Sequence, residues 1–295
     1  MKKFTFLLVA AIFAAMFNAN AQGVVASGNC GAQGDNLTWE ITGSQLNNRT
    51  LTISGTGDMA DFSGTSVPWF SYSGNIKTVI INDGVTSIGN SAFVNCTNLP
   101  SINIPDGVTT IGNAAFQYCT NLLSINIPSS VTAIGTHAFA TCGKLSSVTI
   151  PNGVTAIENS TFMGCSLLSS VSIPGSVKSI GLSAFNQCNA LTSLIIPEGV
   201  ETIDNAFQGC TLLSSVNIPS SVTSMAGSVF NGCGNLTSVT LNGLTPPTLG
   251  GGYVFYNTNA ALAITVPCGS LSQYQGGNIG VIWQTEWLPL IIAMK

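Results

Sequence analysis

The feature that most constrains this sequence is a cysteine that recurs at a nearly fixed interval. Seven cysteines follow one another at steps of 23 residues, with a single step of 22: Cys96, Cys119, Cys142, Cys165, Cys188, Cys210 and Cys233. The neighbourhood of each cysteine repeats with it, since the unit ending at Cys142 reads LLSINIPSSVTAIGTHAFATC and the next reads LSSVTIPNGVTAIENSTFMGC. Self-similarity with a period of about 20 to 50 residues is typical of solenoids. The sequence therefore predicts a repeat solenoid.

Each unit is predicted to form one coil with two short strands. Its L-x-x-I-x-I portion alternates apolar and polar residues and is rich in β-branched side chains, which indicates a strand. A proline and a turn-forming pair end that strand. A second extended piece, V-x-x-I, follows, and A-F-x-x-C closes the coil as a turn or a short helical segment. Because no single coil can bury its own apolar side, the coils should stack into a mainly β architecture with parallel strands and one continuous core.

Two details of the repeat carry further expectations. One phenylalanine in each unit should contribute to an aromatic column: Phe93, Phe116, Phe139, Phe162, Phe185, Phe207 and Phe230. One unit has lost a residue between Ile203 and Ala206. We expect a local tightening at this shortened loop and no break.

The repeat frame divides the chain into four segments. Residues 1–21 are interpreted as a signal peptide, because Lys2 and Lys3 precede an apolar run and a cleavage motif ends at Ala21. Residues 22–75 are assigned to an N-terminal cap, 76–243 to the solenoid, and 244–295 to a degenerate last repeat and C-terminal cap. The leader predicts an exported protein that is secreted, held at the cell surface or periplasmic. No transmembrane anchor is expected in the mature chain.

The charge composition of the chain argues against one class of function, nucleic-acid binding. The chain has 7 basic and 11 acidic residues, and its formal charge falls from −4 to −6 when Lys2 and Lys3 leave with the leader. A nucleic-acid partner is not expected, because such proteins need a basic stripe to displace counterions.

The repeating cysteines have three interpretations: metal ligands, disulfides or buried thiols. Zinc sites use paired ligands, whereas each of these cysteines is alone in its coil and His137 is the only histidine. Export allows disulfides, but equivalent side chains of stacked coils point the same way and seven is an odd number. A column of buried free thiols is favoured. Cys30 and Cys268 fall in opposite caps and should not meet.

No cofactor and no catalytic activity are expected. His137 has no acid or nucleophile fixed to it by spacing, and a carboxylate pair for glycoside hydrolysis could be chosen only at random. Asp58 and Asp61 lie among glycines but supply too few oxygens for a calcium loop.

Ligand candidates fall on two surfaces. The first is the outward face of the first strands, where a hydroxyl-and-amide surface could receive a protein strand or a glycan: Asn103, Asn126, Thr149, Ser172, Asn217 and Thr240. A row of threonines (Thr86, Thr109, Thr132, Thr155) is predicted on the second strands. The competing interpretation is that these small polar residues only solvate the sheet and pair between coils. The second surface comprises C-terminal aromatic residues suited to glycan stacking: Tyr253, Tyr256 and Trp287. They compete with a role in shielding the end of the core.

The repeat resembles the leucine-rich repeats of bacterial BspA-like surface proteins, through the pattern L-x-x-I-x-I-P-x-x-V-x-x-I-G-x-x-A-F-x-x-C. The flanks are similar too, with Pro68-Trp69-Phe70 before the repeats and Val266-Pro267-Cys268-Gly269-Ser270 after them. This resemblance implies a leucine-rich-repeat solenoid of a secreted or surface protein, with roles in adhesion to host matrix proteins or other cells. It implies no catalytic motif.

Three functional hypotheses remain open at this point. The first is a non-catalytic binding protein for host or microbial surface proteins. The second is a polysaccharide-binding surface protein that uses the cap aromatics. The third is a structural spacer without a dedicated ligand.

Overall fold

The structure, a computed structural model, describes residues 23–276 and 291–293. The predicted signal peptide, Trp283 and Trp287 lie outside the described residues.

The N-terminal cap is a small antiparallel sheet joined to the solenoid. Strand β1 pairs with β2, β2 pairs with β3, and β3 runs parallel to the first solenoid strand, β5. The elements of the cap are β1 (Val24–Gly31), β2 (Gly34–Thr42), β3 (Arg49–Gly55), β4 (Gly57–Asp58) and two 3₁₀ helices (Gly64–Ser66 and Phe70–Asn75). The cap thus continues the solenoid sheet.

The first strand of each coil contributes to one column. These strands are β5 (Ile76–Ile81), β7 (Ser101–Asn103), β9 (Ser124–Asn126), β11 (Ser147–Thr149), β13 (Ser170–Ser172), β15 (Ser193–Ile195), β17 (Ser215–Ile218), β19 (Ser238–Leu241), β21 (Ala263–Val266) and β22 (Ile291–Ala293). Paired strands are parallel, and equivalent residues face each other, as Val148 of β11 faces Val171 of β13.

The second strand of each coil contributes to a second column, which begins with β4 of the cap. Its further members are β6 (Val85–Ile88), β8 (Thr110–Ile111), β10 (Ala133–Ile134), β12 (Ala156–Ile157), β14 (Ser179–Ile180), β16 (Thr202–Ile203), β18 (Ser224–Met225) and β20 (Thr248–Leu249). The predicted solenoid of coils of about 23 residues with short parallel strands is therefore confirmed.

Turns connect the two strands and close each coil. The proline carbonyl accepts the N–H of the valine three residues later, as Pro128 does from Val131 at 3.1 Å. Because proline has no N–H, the strand ladder ends there. The closing segment contains a left-handed residue just before the conserved Ala-Phe position, as at Ala114 (φ 53°) and His137 (φ 59°). A left-handed residue interrupts a right-handed helix, so this segment forms a succession of turns.

The core consists of columns that run along the solenoid. The predicted phenylalanine column is confirmed, with neighbouring rings stacked at centroid distances of 5.2 to 5.7 Å. Trp69 covers its N-terminal end, 6.2 Å from Phe93, and donates its indole N–H to the Ala92 carbonyl at 2.8 Å. Aromatic residues of the N-terminal cap thus shield the end of the core.

The 22-residue unit is accommodated without a break, as predicted. Phe185 and Phe207 stack at 5.4 Å across the short step, and β14, β16 and β18 remain paired in sequence. The lost residue corresponds to the left-handed one, because Ser183 (φ 57°) precedes Ala184 but no equivalent separates Asn205 from Ala206.

The stack continues where the repeat consensus fades. After Leu241 the sequence loses its pattern at Pro246-Pro247, yet β20 still pairs with β18 and Phe255 stacks on Phe230 at 5.7 Å. A short helix, α1 (Leu271–Gly276), then brings Tyr274 into the core. Its hydroxyl donates to the Gly243 carbonyl at 2.9 Å. The coil therefore tolerates a changed loop as long as its buried positions are kept.

Candidate ligand-binding faces

The outward positions of the first strand column form one continuous face, which we call the sheet face. The register pairs Asn103 with Asn126, Thr149 with Ser172, and Asn217 with Thr240. The first five of these side chains are exposed and Thr240 is half-buried. The structure therefore brings the predicted candidates into one column, although it shows no ligand on them.

An exposed isoleucine interrupts this polar column. Ile195 lies between Ser172 and Asn217 in the stack and is 78% exposed. Its neighbours in the sequence, Leu194 and Ile196, are both 4% exposed. Because the Ile195 side chain remains exposed to water, it contributes little hydrophobic free energy to folding. Its position at the middle of the sheet face therefore suggests a contact with a binding partner.

The predicted threonine row lies only partly on the second strands, because Thr86 is in β6 whereas Thr109, Thr132 and Thr155 directly precede β8, β10 and β12. Members of the row pair between coils. The Thr109 hydroxyl donates to the Thr86 carbonyl at 3.2 Å, and the Thr132 hydroxyl donates to the Thr109 carbonyl at 3.3 Å. Because these donors are already used within the stack, this row offers less to a ligand than the sheet face does.

A shallow groove runs along the N-terminal half of the second strand column. Asn90 and Gly112 line two adjoining depressions, so the two are continuous. Asp58 and Asp61 lie at one end and Glu158 at the other. Sequence analysis considered the two aspartates only for calcium and did not predict the groove.

The groove carboxylates of the cap are held by the first coil. Asp58 Oδ1 accepts a hydrogen bond from the Thr86 hydroxyl at 2.6 Å, and Asp61 Oδ1 accepts one from the Asn90 N–H at 2.8 Å. Within residues 23–276 and 291–293, no group of three His, Cys, Asp or Glu side chains is arranged to hold a metal ion. These aspartates therefore serve to join the cap to the solenoid.

The repeating cysteines are buried, as predicted. Each thiol from Cys119 onward donates to a phenylalanine carbonyl of the preceding coil, as Cys165 does to Phe139 at 3.2 Å. Burial raises the pKa of Cys96 and Cys165 to about 12. A thiolate is thus strongly disfavoured in the column, and nucleophilic or ligand chemistry requires a thiolate.

The two cysteines outside the column differ from each other. Cys30 is 2% exposed within the N-terminal cap, whereas Cys268 is exposed near the C-terminal end. They lie in opposite caps, as the sequence predicted.

His137 lies at a left-handed position beside the flank of the coil. A shallow depression there is lined by Asn113, Ala114, Gln117, Thr136 and His137.

The C-terminal aromatics separate into buried and exposed residues. Phe255 and Tyr274 are each 2% exposed and close the core. Tyr253 and Tyr256 are 57% and 49% exposed, with their rings in an edge-to-face pair at 5.3 Å. The third residue predicted for glycan stacking, Trp287, lies outside the described residues.

Charge contributes little to any of these faces. In the described part of the chain, the one ion pair joins Lys178 and Glu201 at 3.7 Å, with both side chains exposed. The Glu198 carboxylate has a pKa below its ordinary value because it accepts hydrogen bonds from Ser220 and Ser221 of the next coil, chiefly from the Ser220 N–H. The surface is dominated by neutral hydroxyl and amide groups.

Each coil also buries a leucine at its start: Leu99, Leu122, Leu145, Leu168, Leu191, Leu213 and Leu236. A capped solenoid of about 23-residue coils, with this leucine column and paired parallel strands, defines the class of leucine-rich-repeat proteins. The model of the BspA-type leucine-rich repeat region matches residues 66–189 and 156–274, with six copies. Because these matches together span more than half of the chain, it belongs to the BspA-type leucine-rich repeat family. Repeat proteins of this kind are generally non-enzymatic.

Solved bacterial structures resemble the chain. A leucine-rich cell surface protein from Faecalibacterium prausnitzii is 28% identical, with a TM-score of 0.55, over 77% of this chain and 74% of that one. A leucine-rich repeat protein from Eubacterium ventriosum is 21% identical with a TM-score of 0.38, over 83% of this chain and 88% of that one. No protein of curated function matched the sequence. Among the described residues, no helix has the length and apolar character needed to cross a membrane.

Proposed function

We propose that this protein is a non-catalytic, exported binding protein that recognises host or microbial surface proteins through its sheet face. Its leader-like N-terminus and its likeness to a protein described as a cell surface protein support export. The observation that carries the proposal is Ile195, which is 78% exposed between the polar residues Ser172 and Asn217 of the sheet face. The centre of a protein interface is more apolar than its rim, which is polar and solvent-accessible. The sheet face has that arrangement.

The residues around Ile195 suit a protein partner. Ser172 and Asn217 flank it in the neighbouring coils, and both are exposed. Their hydroxyl and amide groups can donate and accept hydrogen bonds without the cost of removing a charge from water. A partner could therefore cover Ile195 while its own polar groups remain paired.

The test is a charge substitution at the centre of the face. The full mature chain and its Ile195→Asp variant would be passed over immobilised fibronectin, laminin and collagen in surface plasmon resonance. We expect saturable binding to one of these proteins by the parent and a loss of about tenfold or more in affinity for the variant. Leu182→Asp is the matched control, because Leu182 is also an exposed apolar residue (48%) but lies off the sheet face.

The outcomes separate the hypotheses. Binding that Ile195→Asp and Leu182→Asp weaken equally, or not at all, would place the contact elsewhere and overturn the proposal. Absence of saturable binding to all three proteins would also count against it and would favour a spacer role.

A second candidate function is glycan binding by the C-terminal aromatics, and the exposure of Tyr253 and Tyr256 favours it. Tyrosine combines a broad apolar ring with a hydroxyl that can hydrogen bond, which suits the mixed surface of a sugar. Trp287 remains part of this candidate set as a sequence-based prediction.

A further inference from the structure

We propose that one flank of the solenoid is a track for a neutral, extended β-linked glycan, formed by Asn186, Gln208, Asn231 and Tyr256 of four successive coils. We call this surface the amide flank. The inference develops the second candidate function and does not depend on protein binding by the sheet face.

Backbone hydrogen bonds place these four residues in one row. The Gly209 N–H donates to the Asn231 carbonyl and the Gly232 N–H donates to the Tyr256 carbonyl, each at 2.8 Å. The Gln187 N–H donates to the Gln208 carbonyl at 2.9 Å in the same way. Each member of the row is thus hydrogen bonded through its backbone to the coil before it.

The row changes character along the solenoid. At the equivalent position the first four coils carry Val94, Gln117, Ala140 and Met163, so the one amide there, Gln117, is isolated between two buried apolar residues. From Asn186 onward the side chains are an asparagine, a glutamine, an asparagine and a tyrosine, all half-buried or exposed. A run of hydrogen-bonding side chains therefore begins in the fifth coil and ends at the tyrosine pair.

The chemistry of the row favours a neutral polyhydroxylated ligand. Amide side chains offer both donors and acceptors, and Asn186 Nδ2 already donates to Gln208 Oε1 at 3.2 Å. That bond leaves the second N–H of Asn186 and the amide nitrogen of Gln208 to interact with hydroxyl groups. None of the four residues is charged, so nothing in the row would attract an anionic polymer in preference to a neutral one.

The far end of the row provides an aromatic surface. Tyr256 and Tyr253 are about half exposed, and their rings meet edge to face at 5.3 Å. The position after each member of the row is left-handed, and in the two central coils it is a glycine: Gln187, Gly209, Gly232 and Asn257. Since the two glycines carry no side chain, a ligand lying along the row can approach the backbone beside Gln208 and Asn231.

The spacing of the coils supports an extended polymer. The stacked phenylalanine rings beneath the row advance by 5.4 Å from Phe185 to Phe207 and by 5.7 Å from Phe230 to Phe255. The sugar units of an extended β-linked glycan repeat at a closely similar distance. One sugar can therefore face each coil, with three of them on amides and the last on the tyrosine.

The experiment measures oligosaccharide binding by calorimetry with the full mature chain. The probes are cellohexaose, xylohexaose and mannohexaose, each with its disaccharide, and a heparin hexasaccharide as an anionic comparison. We expect one neutral hexasaccharide to bind. Its disaccharide should bind at least about tenfold more weakly, because it spans fewer coils. The heparin hexasaccharide should not bind.

Matched variants locate the site. Tyr256→Ala should lower the affinity about tenfold by removing the aromatic contact, and Tyr256→Phe should retain most of it. Asn231→Ala should also weaken binding. Tyr118→Ala is the control, since Tyr118 is 45% exposed on the same side of an earlier coil but lies outside the row. Unchanged melting temperatures would show that the variants remain folded.

Several results would contradict the proposal that the amide flank binds a glycan. They are absence of binding by all neutral hexasaccharides, equal affinity for hexasaccharide and disaccharide, or equal effects of Tyr256→Ala and Tyr118→Ala. The variant Ile195→Asp should bind the glycan normally, and loss of glycan binding in that variant would place the sugar on the sheet face instead. Failure of the protein to bind matrix proteins would not contradict glycan binding by the amide flank.

Discussion

At the scale of single residues, each thiol of the cysteine column from Cys119 onward connects two coils through a hydrogen bond. The Phe139 carbonyl, for example, accepts the backbone N–H of Cys142 in its own coil at 3.1 Å and the thiol of Cys165 in the next at 3.2 Å. The cysteine thus fills a small apolar space and also satisfies the second lone pair of a buried carbonyl. This double role explains why cysteine recurs there rather than alanine.

The reactivity of the thiols tests whether the column cysteines are buried and free. In the native protein at about pH 8, we expect Ellman's reagent to react rapidly with Cys268 alone, because it is the exposed cysteine. After unfolding in guanidinium, all 9 cysteines should react. Fewer reactive thiols in the unfolded, unreduced protein would reveal disulfides and would contradict the free-thiol interpretation.

The same burial predicts a dependence of stability on alkaline pH. The unfolded thiols ionise near pH 9, whereas burial raises the pKa of Cys96, Cys165 and Cys233 to about 12 in the folded protein. Between these values the unfolded chain binds fewer protons, so the free energy of unfolding should decrease as pH rises above 9, by about 1.4 kcal/mol per pH unit for each buried thiol. Urea titrations at pH 7, 9 and 10 measure this, and an unchanged free energy would contradict it.

Glycine and asparagine are coupled between successive coils. Asn90 Oδ1 accepts the Asn113 N–H at 2.6 Å, and a Cβ on Gly112 would lie 2.7 Å from that oxygen and 2.6 Å from the Asn90 backbone nitrogen. The same pairing links Asn113 to Gly135 and Asn159 to Gly181. The pairing does not extend to every coil. Where threonine or leucine replaces asparagine (Thr136, Leu182), the next coil has Glu158 or Asp204 in place of glycine, but Asn205 is followed in the next coil by Ala226, and Gly250 occurs without an asparagine before it.

This coupling predicts non-additive mutations. Gly112→Ala should destabilise the protein by about 2 kcal/mol through overpacking against Asn90. Combining it with Asn90→Thr, as in the natural Thr136 and Glu158 pair, should cost less than the sum of the single changes. Gly107→Ala is the control, because its Cβ would meet its nearest neighbour at 3.4 Å. Chemical denaturation of the four proteins measures the coupling, and strict additivity would disprove it.

At the scale of elements, the sequence predicted most of what is buried. Strand positions, the proline turns and the phenylalanine column follow from short-range rules of periodicity and turn chemistry, so they could be predicted. The persistence of the coil beyond Leu241 could not, because Phe255 and Leu249 occupy core positions after an altered loop. The groove at Asn90 could not be predicted either, because its lining combines residues of the cap and of several coils that are far apart in the sequence.

The aromatic column allows a test of packing within one element. Phe162→Ala removes a ring stacked on both sides, at 5.4 Å from Phe139 and from Phe185, and should lower the free energy of unfolding by about 3 to 5 kcal/mol. Phe162→Leu should cost considerably less, since it refills most of the space. Urea titration measures the free energy of unfolding of both variants. Equal decreases in this free energy would show that the volume of the ring does not determine its contribution to stability.

At the scale of the whole molecule, contacts between neighbouring coils dominate. Backbone and side-chain hydrogen bonds join residues about one repeat apart, as for Ser169 and Ser146. A solenoid of this kind should lose one coil without losing its architecture, because each coil meets only its neighbours.

Deletion of residues 145–167 tests that property. The deletion joins Lys144 to Leu168, which replaces Leu145 at the equivalent position, so the protein should remain folded with a lower melting temperature. Deletion of residues 145–156 is the control, because it removes half a coil and puts strands against turns. Circular dichroism and thermal melting distinguish the two, and equal loss of structure would contradict a modular stack.

The hydrogen bonds that join one coil to the next run along the solenoid axis, and this has a mechanical consequence. A force applied between the two ends would open the bonds of one coil at a time instead of loading all of them together. Each opened coil of 23 residues would release about 80 Å of chain. A protein of this shape under flow at a cell surface would therefore lengthen in discrete steps and dissipate the load before the remaining coils unfolded.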